Sequence, residues 1–352
     1  MTGTGAAPEV PAGAVSPSFR RLALDDPRWA AFVSSRPEAT PFHQPAWALF
    51  LSEAYNFDAF AIALERNDTL TDGIPVLEVR TLLRRRRWVS LPFTDECGPL
   101  GEAVAELTAA VDTARRSAGI DSYEVRASVP AGTAHPHAVS HSLTLGDDLE
   151  SLMRRYRSSV RQGIRVAARE GVVVRQATKQ DLTQTFYGLH VATRRRLGVP
   201  VQRRRYFELL WDRVLASGNG FALIAEREGV ALAAAVFLQS DGVVLYKYGA
   251  SDARHWRLRA NNALFQEAIS RAVAGGARVF DWGRTDFDDE GLRRFKASWG
   301  SSEQELVYTT LGVESPATLS GGRAAALSRT VIRRSPSAVG RLAGALLYRY
   351  SG

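Results

Sequence analysis

The fold of this chain is best predicted from Phe280-Asp281-Trp282-Gly283-Arg284-Thr285 and from Gly291-Leu292-Arg293-Arg294-Phe295-Lys296 shortly after it. The first stretch indicates a short apolar strand that carries an acid into a glycine turn, and the second indicates a helix with one lysine after an aromatic residue. The chain contains only three lysines against a large excess of arginine: Lys179, Lys247 and Lys296. A lysine in this position suits an acyl-transfer site, which needs a cation close to developing oxyanion charge.

Three charged residues in these two stretches are the candidates for chemistry. Lys296 is the candidate donor to the oxyanion, and the alternative is a surface lysine on an exposed helix. Asp281 is the candidate acceptor of the amine proton or partner of an ammonium group, and the alternative is an acid that caps the following turn. Arg284 is placed to bind a carboxylate or phosphate, and a salt bridge to Asp286 or Asp288 explains it as simply.

Two tyrosines precede these stretches on a strand predicted at Val243–Gly249. Tyr246 and Tyr248 alternate along that strand, so we expect both side chains to lie on one face of the sheet. A cleft wall that binds a sugar or peptide is the functional interpretation, and aromatic packing against a helix is the alternative.

The strongest helical periodicity falls on Leu149–Arg169, where apolar residues recur at three- and four-residue spacing. We expect one continuous helix with an arginine stripe on a neighbouring face: Arg154, Arg157, Arg161 and Arg165. Arg161 and Arg165 are the candidates to bind a diphosphate or an RNA backbone, and a solvated helix face is the alternative.

The composition of the 352 residues is that of a globular protein, with 45% hydrophobic and 23% charged residues. A formal net charge of +8 favours polyanionic partners such as nucleic acid or lipid headgroups, although an arginine-rich base composition of the genome also explains it. The single cysteine, Cys97, excludes an intrachain disulfide and fits a reducing compartment. Two neighbouring acids argue against a thiolate nucleophile at Cys97.

The order of predicted elements indicates an α+β fold with two tandem units, each with a mixed, mostly antiparallel sheet flanked by helices. We expect a flexible tail at 1–18, a first unit at 19–146, a second at 147–312, and a linker with a basic, partly amphipathic helical tail at 313–352. The N-terminus has neither a basic start nor an apolar core and is not expected to be a signal peptide. With no bilayer-spanning run, we expect a cytoplasmic protein.

The order of predicted elements in the second unit resembles that of a GNAT N-acyltransferase. Its sequence motifs resemble those of the FemAB-type branch. The matching pieces are Ser158–Ala167, Tyr246–Ser251, Asp281–Arg284 and Phe295–Gly300, with Phe42-x-Gln44-x-x-Trp47 and Leu91-Pro92-Phe93 earlier in the chain. Together they cover about residues 40–310. FemAB-type proteins are aminoacyltransferases that add amino acids to peptidoglycan precursors, and related proteins belong to envelope and exopolysaccharide loci.

The resemblance implies two GNAT-like domains with a substrate cleft between or beside them, and it places the lysine of the Phe-Lys pair, here Lys296, at the acyl-transfer centre. The chain differs from GNAT enzymes that use acetyl-CoA at Arg254–Asn262, where those enzymes carry a glycine-rich turn that holds the pyrophosphate. This chain has no glycine there, which favours aminoacyl-tRNA over acyl-CoA as the acyl donor. Asn262, at the end of the stretch, is predicted to bind substrate. No coiled-coil arm for tRNA is visible.

The predicted function is therefore transfer of an aminoacyl or other acyl group to an amine of a small-molecule or lipid-linked cell-envelope precursor. The alternatives are an acyl-CoA-dependent acetyltransferase of exopolysaccharide biosynthesis and a non-catalytic RNA- or membrane-binding scaffold. We expect no resident cofactor and no metal, because His135-x-His137-x-x-x-His141 lacks a carboxylate or cysteine nearby. The basic tail suits contact with an anionic inner membrane surface, and docking on the core is the competing explanation.

Overall fold

A single twelve-stranded sheet organises the protein. The computed structural model describes residues 18–81, 85–146 and 148–313, together with residues 332, 340, 341, 343, 344 and 348. The strands are β1 (Ser18–Leu22), β2 (Asp58–Arg66), β3 (Thr69–Arg80), β4 (Arg86–Val89), β5 (Ser122–Val125), β6 (Thr133–Thr144), β7 (Val173–Gln176), β8 (Gly220–Arg227), β9 (Val230–Ser240), β10 (Val243–Ser251), β11 (Val279–Thr285) and β12 (Ser302–Gly312).

Helices cover both faces of this sheet. They are α1 (Pro27–Ser34), α2 (Pro45–Tyr55), α3 (Val104–Ser117), α4 (Leu149–Arg155), α5 (Ser158–Arg169), α6 (Tyr187–Leu197), α7 (Arg204–Leu210), α8 (Ala260–Ala274) and α9 (Glu290–Ala297). A π-helical turn precedes α6 at Asp181–Phe186, another follows α7 at Trp211–Leu215, and a 3₁₀ turn at Ala253–Leu258 leads into α8.

The strand order is β1-β2-β3-β4-β5-β12-β6-β11-β10-β9-β8-β7. Only β4–β5 and β10–β11 run parallel among the described pairs, and the others are antiparallel. The predicted mixed, mostly antiparallel sheet with flanking helices is therefore confirmed. β12 pairs with β5 of the first half and β6 on its other side, so it joins the two halves into one sheet.

The predicted unit boundaries stay a prediction, and the sheet continues across the one at residue 146. β6 ends just before the expected boundary at residue 146, yet it pairs with β11 and β12 of the second half. β1 begins at Ser18, the last residue of the expected tail 1–18, and pairs with β2. The remainder of that tail and most of 313–352 lie outside the described residues.

The helix predicted over Leu149–Arg169 is wrong as one continuous element, because the chain breaks between α4 and α5. Tyr156 is extended at the break (ψ 143°), and its buried ring packs against Trp299 with centroids 5.0 Å apart. The extended backbone lets the Arg157 amide donate to the Ser298 carbonyl at 2.9 Å. The predicted arginine stripe is accordingly divided between two helices.

An apolar core shared by both halves fixes their relative position. It collects side chains from α1 and α2 of the first half and from α6, α7, β9 and β10 of the second. Phe50 of α2 meets Tyr206 of α7 edge-on, with ring centroids 4.8 Å apart. A second core, built on Phe237, Phe265 and Trp282, lies between α5, α8 and the opposite sheet face. The candidate site lies on the sheet face that is covered by the shared core.

Candidate active site

β10 and β11 separate after a short parallel contact, and this separation creates the site. They pair only where Val243–Leu245 faces Val279–Asp281. Beyond that point the register of β10 against β9 shifts between Tyr246 and Tyr248, which makes Lys247 the extra residue of a β-bulge.

The bulge makes the prediction that Tyr246 and Tyr248 share a face wrong. One extra residue reverses the alternation of side chains along a strand. Tyr246 therefore packs on Phe265 in the core below α8, with centroids 4.9 Å apart. Tyr248 lies on the other face, where its hydroxyl is hydrogen bonded to that of Tyr206 at 2.5 Å. Of the two tyrosines, only Tyr248 lines a cavity beside this bulge.

A loop from the first half fills part of the separation between β10 and β11. Asp95 on this loop accepts hydrogen bonds from the Lys247 ammonium (3.3 Å) and from the Arg284 backbone amide (3.4 Å). Its backbone carbonyl accepts a bond of 2.7 Å from the Tyr308 hydroxyl of β12. Asp95 thus contacts β10, β11 and β12 at once.

The loop that carries Asp95 is held firmly by the first half. Trp47 donates its indole N–H to the Thr94 hydroxyl at 3.0 Å, and the Ser90 hydroxyl donates to the Cys97 carbonyl at 2.7 Å. Leu91 (φ 94°) and Phe93 (φ 60°) adopt left-handed backbone conformations that are costly for such residues. Strained backbone of this kind persists where the surroundings determine it strongly, and it is concentrated at functional sites.

Lys247 sits in an aromatic cage at the centre of the bulge. Its ammonium lies 4.7 Å from the ring centroid of Phe42 and 5.5 Å from that of Trp47, within range of cation–π attraction. It also donates to the Phe93 carbonyl at 2.8 Å. The Phe42-x-Gln44-x-x-Trp47 and Leu91-Pro92-Phe93 motifs therefore converge on one lysine of the second half.

Burial and charge act against each other in this ion pair. Burial lowers the pKa of Lys247 below its ordinary value, although the Asp95 carboxylate opposes the shift. Burial acts to raise the pKa of Asp95, but the charges of Lys247 and Arg284 outweigh it and hold that pKa below the ordinary value. The geometry therefore favours a charged pair.

Lys296 is buried, with 2% of its surface exposed, and lies on the other side of the Gly283 turn. Its ammonium donates to the carbonyls of Gly283 (2.7 Å) and Arg284 (3.2 Å), which occupies two of its three N–H donors. Burial lowers the pKa of Lys296 to about 8, although Asp95 and Asp281 act in the opposite direction. The alternative of an exposed surface lysine is excluded by this burial.

Asp281 approaches the same glycine from β11. Its carboxylate accepts the Gly283 amide at 2.7 Å, which is the turn-capping contact expected for a strand-end acid. Burial raises the pKa of Asp281 to about 6, and the Gly283 hydrogen bond opposes this rise. Asp281 and Lys296 therefore flank Gly283 with pKa values displaced toward neutrality, a combination typical of acid–base sites.

A cavity of about 280 Å³ opens beside this cluster. Of the predicted site residues, it is lined by Tyr248 and Arg284. The Arg284 guanidinium bonds His137 (2.8 Å) and Asp286 (3.0 Å), so the predicted salt bridge to Asp286 is present. The other lining residues were not predicted: Phe93, Thr94, Asp95, Arg126, His137, Arg194, Gln202, Lys247, Tyr308 and Tyr348. Lys296 and Asp281 are not among the lining residues: Lys296 donates to the backbone carbonyl of the lining residue Arg284, and Asp281 accepts the amide of the preceding Gly283.

Three predicted binding residues lie elsewhere. Arg161 donates back to the carbonyls of Tyr156 and Arg154, so it stabilises the break between α4 and α5. Arg165 is exposed on α5. Asn262, on the first turn of α8, packs so closely on Gly163 of α5 that a Cβ there would lie 2.8 Å from its side chain. Their roles toward phosphate or substrate stay predictions.

Several residues of the candidate site were missed because nothing local marks them. Asp95 is one acid in a loop of acids, and Lys247 is hidden between two tyrosines. The rarity of lysine in this chain was the one available signal for Lys247. Tyr308 and Arg126 join the site only through strand pairing and loop packing.

Metal and membrane features give no further site. Among the described residues, no group of three or more His, Cys, Asp or Glu side chains is arranged to hold a metal ion. Within the same part of the chain, no helix combines the length and hydrophobicity needed to cross a bilayer. Burial raises the pKa of the Cys97 thiol, which leaves the thiol an inert part of the loop.

Comparison with known proteins agrees with this geometry. Residues 154–297 match the acetyltransferase (GNAT) domain family. The fold is similar to the crystal structure of FemX, with a TM-score of 0.70 and 16% identity over 86% of this chain and 100% of that one. It is also similar to the C-terminal domain of a lysylphosphatidylglycerol synthetase from Agrobacterium fabrum, with a TM-score of 0.56 and 13% identity over 87% of this chain and 96% of that one.

A tandem GNAT protein from the clavulanic acid biosynthesis pathway is similar as well, with a TM-score of 0.52 and 11% identity over 85% of this chain and 100% of that one. A search of curated proteins found no match. Residues 154–297 thus match the acetyltransferase (GNAT) domain family, and the predicted resemblance to FemAB-type proteins and the predicted tandem GNAT-like fold are confirmed.

Proposed function

We propose that this protein is an N-acyltransferase that moves an aminoacyl or other acyl group to an amine of a cell-envelope precursor. The observation that carries the proposal is the placement of Lys296 and Asp281 on the two sides of Gly283, at the separation of β10 and β11. Burial gives both groups pKa values near neutrality, about 8 and about 6. Such values suit groups that exchange protons with a substrate at physiological pH.

The chemistry assigns one step to each group. The acceptor amine attacks the carbonyl carbon of the donor ester, so a C–N bond forms and the ester C–O bond breaks. The remaining N–H donor of Lys296 stabilises the oxyanion of the tetrahedral intermediate. The Asp281 carboxylate takes the proton released by the amine and then gives it to the departing alkoxide, which leaves as an alcohol and regenerates the carboxylate.

The charge of the cavity supports an anionic acceptor. Arg126, Arg194, Lys247 and Arg284 line it, against the single carboxylate of Asp95. Carboxylates and phosphates of envelope precursors are bound well by such guanidinium groups. The neighbours named FemX and lysylphosphatidylglycerol synthetase support a cell-envelope acceptor and an aminoacyl group as cargo.

The turn before α8 supports aminoacyl-tRNA as the donor. The Arg254 amide donates to the Asp252 carboxylate at 3.0 Å, and the Asn262 amide donates to the Arg259 carbonyl at 2.8 Å. Amides already bonded within the turn are not free to hold a pyrophosphate as a glycine-rich turn does. We expect the protein to act in the cytoplasm, at the anionic inner face of the membrane.

The test is acyl transfer by the full chain from a pool of labelled aminoacyl-tRNAs to amine-bearing envelope precursors. Lys296→Ala should fold as the wild type does and lose turnover by at least tenfold, because one oxyanion donor contributes roughly 3–4 kcal/mol. Lys179→Ala is the matched control, since Lys179 is an exposed lysine paired with Asp212. Unchanged turnover in Lys296→Ala would remove Lys296 from the site.

Two other results would overturn the proposal. Tight binding of acetyl-CoA in isothermal titration, with acetyl transfer to a polysaccharide sugar, would make the protein an acyl-CoA-dependent enzyme. RNA or vesicle binding that persists in Lys296→Ala, with no acyl product from any donor, would make it a non-catalytic scaffold.

A further inference from the structure

An exposed tryptophan lies next to the candidate site. Trp256, in the 3₁₀ turn before α8, is 55% exposed, which is unusual for the largest aromatic side chain. Its indole N–H donates to the Ser251 hydroxyl at 3.2 Å, which fixes the ring at the end of β10. The Arg196 guanidinium stacks over the ring at 5.0 Å from the centroid. We call Trp256 and Arg196 the Trp256 platform.

The surroundings of the platform are strongly basic. The chain has no acidic residue between Asp181 and Glu208, or between Asp252 and Glu267, and both stretches meet at the platform. Among the described residues, no carboxylate lies within ion-pair distance of three exposed arginines in these stretches: Arg195, Arg257 and Arg259. Unpaired guanidinium groups around an exposed ring are complementary to a nucleic-acid strand.

The platform and the cavity are built on the same two elements, α6 and β10. Arg196 belongs to α6, and two residues earlier on the same helix Arg194 lines the cavity. Arg196 also donates to the Ser251 carbonyl at 3.3 Å. Ser251 follows the cavity residue Tyr248 by three positions along β10, which corresponds to roughly 10 Å. A nucleotide stacked on Trp256 would therefore hold the ribose of a chain end near the cavity mouth.

We propose that the Trp256 platform binds the single-stranded 3′ end of the RNA that delivers the acyl group. Base stacking on an aromatic ring tolerates any base, and the flanking arginines contact the phosphates. The cavity then receives the esterified terminal ribose. This inference rests on the proposed function, in that an aminoacylated RNA is the donor.

The test measures binding of an unacylated, fluorescently labelled single-stranded RNA to the full chain by anisotropy. Trp256→Ala should weaken binding by about five- to a hundredfold, because one stacked base is worth about 1–3 kcal/mol. Trp256→Phe keeps an aromatic face and should lose less. Arg257→Gln removes one expected phosphate contact and should therefore reduce the slope of log affinity against log salt concentration by about one. Phe19→Ala, which removes another exposed aromatic side chain on β1, should bind as the wild type does.

Because the RNA carries no acyl group, its binding is independent of catalysis. Loss of binding in Trp256→Ala with no acyl transfer by the wild type would support the platform and overturn the proposed function. Wild-type binding by Trp256→Ala, or an equal loss in Phe19→Ala, would overturn the platform even if acyl transfer occurs. A loss of binding only to phosphatidylglycerol vesicles would make Trp256 a membrane contact and the inference wrong.

Discussion

Asp95 of the first half and Lys247 of the second form an ion pair of 3.3 Å in the separation between β10 and β11. The two residues are 152 positions apart, and each is buried by aromatic or backbone groups of the other half. The site is therefore complete only when both halves are folded and joined. Removing either partner leaves the other in a largely buried position without its counter-charge.

The ion pair should be measurable as a coupling energy. Asp95→Asn and Lys247→Met should each destabilise the protein, by up to about 3–5 kcal/mol, because the remaining group loses its counter-charge in a largely buried position. The double variant should lose clearly less than the sum of the two. Denaturant unfolding of the four proteins gives the coupling.

The exposed pair Lys179–Asp212 is the control for this cycle. Its side chains are 49% and 41% exposed, against 6% and 21% for Lys247 and Asp95. Water and salt screen such a pair, so its coupling should be about 0–1 kcal/mol. If both cycles gave the same coupling, the structural importance of the Asp95–Lys247 pair would be refuted.

Gly283 should tolerate no side chain, because the space for a Cβ is already occupied. A Cβ there would lie 2.8 Å from the Asp95 carboxylate and 3.1 Å from the Tyr246 carbonyl. Gly276→Ala is a matched control, since the two glycines have φ values of 68° and 72° but nothing lies within 4 Å of a Cβ at Gly276. Gly276→Ala should cost about 1–2 kcal/mol for the left-handed backbone alone.

Gly283→Ala should cost more than this and should also displace Asp95. Thermal unfolding measures the difference in stability between the two variants, and acyl transfer measures the effect on the site. Equal stabilities would show that Asp95 moves aside freely. In that case the loop from the first half would not be fixed in the separation.

The strands and helices around this site were predicted well from the sequence, because their periodicity and glycine stops are local signals. The errors have two causes that depend on tertiary contacts. A bulge at Lys247 reverses the side-chain alternation, so Tyr246 and Tyr248 face opposite ways. Packing of Tyr156 on Trp299 breaks the helix predicted over Leu149–Arg169.

The candidate site likewise contains some residues that local sequence signals predicted and others that they did not. Lys296, Asp281 and Arg284 were predicted because one short segment carries them all. Asp95 and Tyr348 come from distant parts of the chain, and only the folded structure brings them to the cavity. No periodic pattern in a single sequence records a contact of that kind.

Tyr348 should act as a wall of the cavity contributed by the C-terminal segment. Its hydroxyl accepts a hydrogen bond from Arg194 at 2.6 Å and donates to the Pro200 carbonyl at 2.9 Å, and its ring lies 5.6 Å from that of Phe93. Tyr348→Ala should raise the KM for the acceptor several-fold by opening the cavity. Tyr348→Phe should have a smaller effect, because it keeps the ring and loses only about 1 kcal/mol of hydrogen bonding.

Steady-state kinetics at saturating donor separates these effects of Tyr348. An unchanged KM in Tyr348→Ala would mean that the C-terminal segment contributes no wall to the working enzyme. The buried Ile332 on the same segment is a useful comparison, since it is not among the cavity residues. Ile332→Val should leave the KM near the wild-type value.

The stability of the protein should depend on pH through Asp281. Its pKa is about 6 in the folded protein against an ordinary value of 3.8, so the folded state binds this proton more tightly than the unfolded chain does. The resulting stability is fully present below about pH 4 and is lost as the pH rises through about 6. A shift of this size corresponds to roughly 3 kcal/mol. Lys296, with a pKa of about 8, stays protonated across this range.

Asp281→Asn removes the titration and should therefore remove the pH dependence. The stability of the variant relative to the wild type should increase by about 2–3 kcal/mol between about pH 4 and about pH 7, measured by guanidinium unfolding at both values. Asp68→Asn, which removes an exposed carboxylate at the turn between β2 and β3, is the control variant measured at the same two pH values. If the stability difference between Asp281→Asn and the wild type did not change with pH, the Asp281 carboxyl would have the same pKa in the folded and the unfolded protein. Asp281 would then be unsuited to accept the amine proton near neutral pH, since a base with an ordinary carboxyl pKa provides little driving force for that transfer.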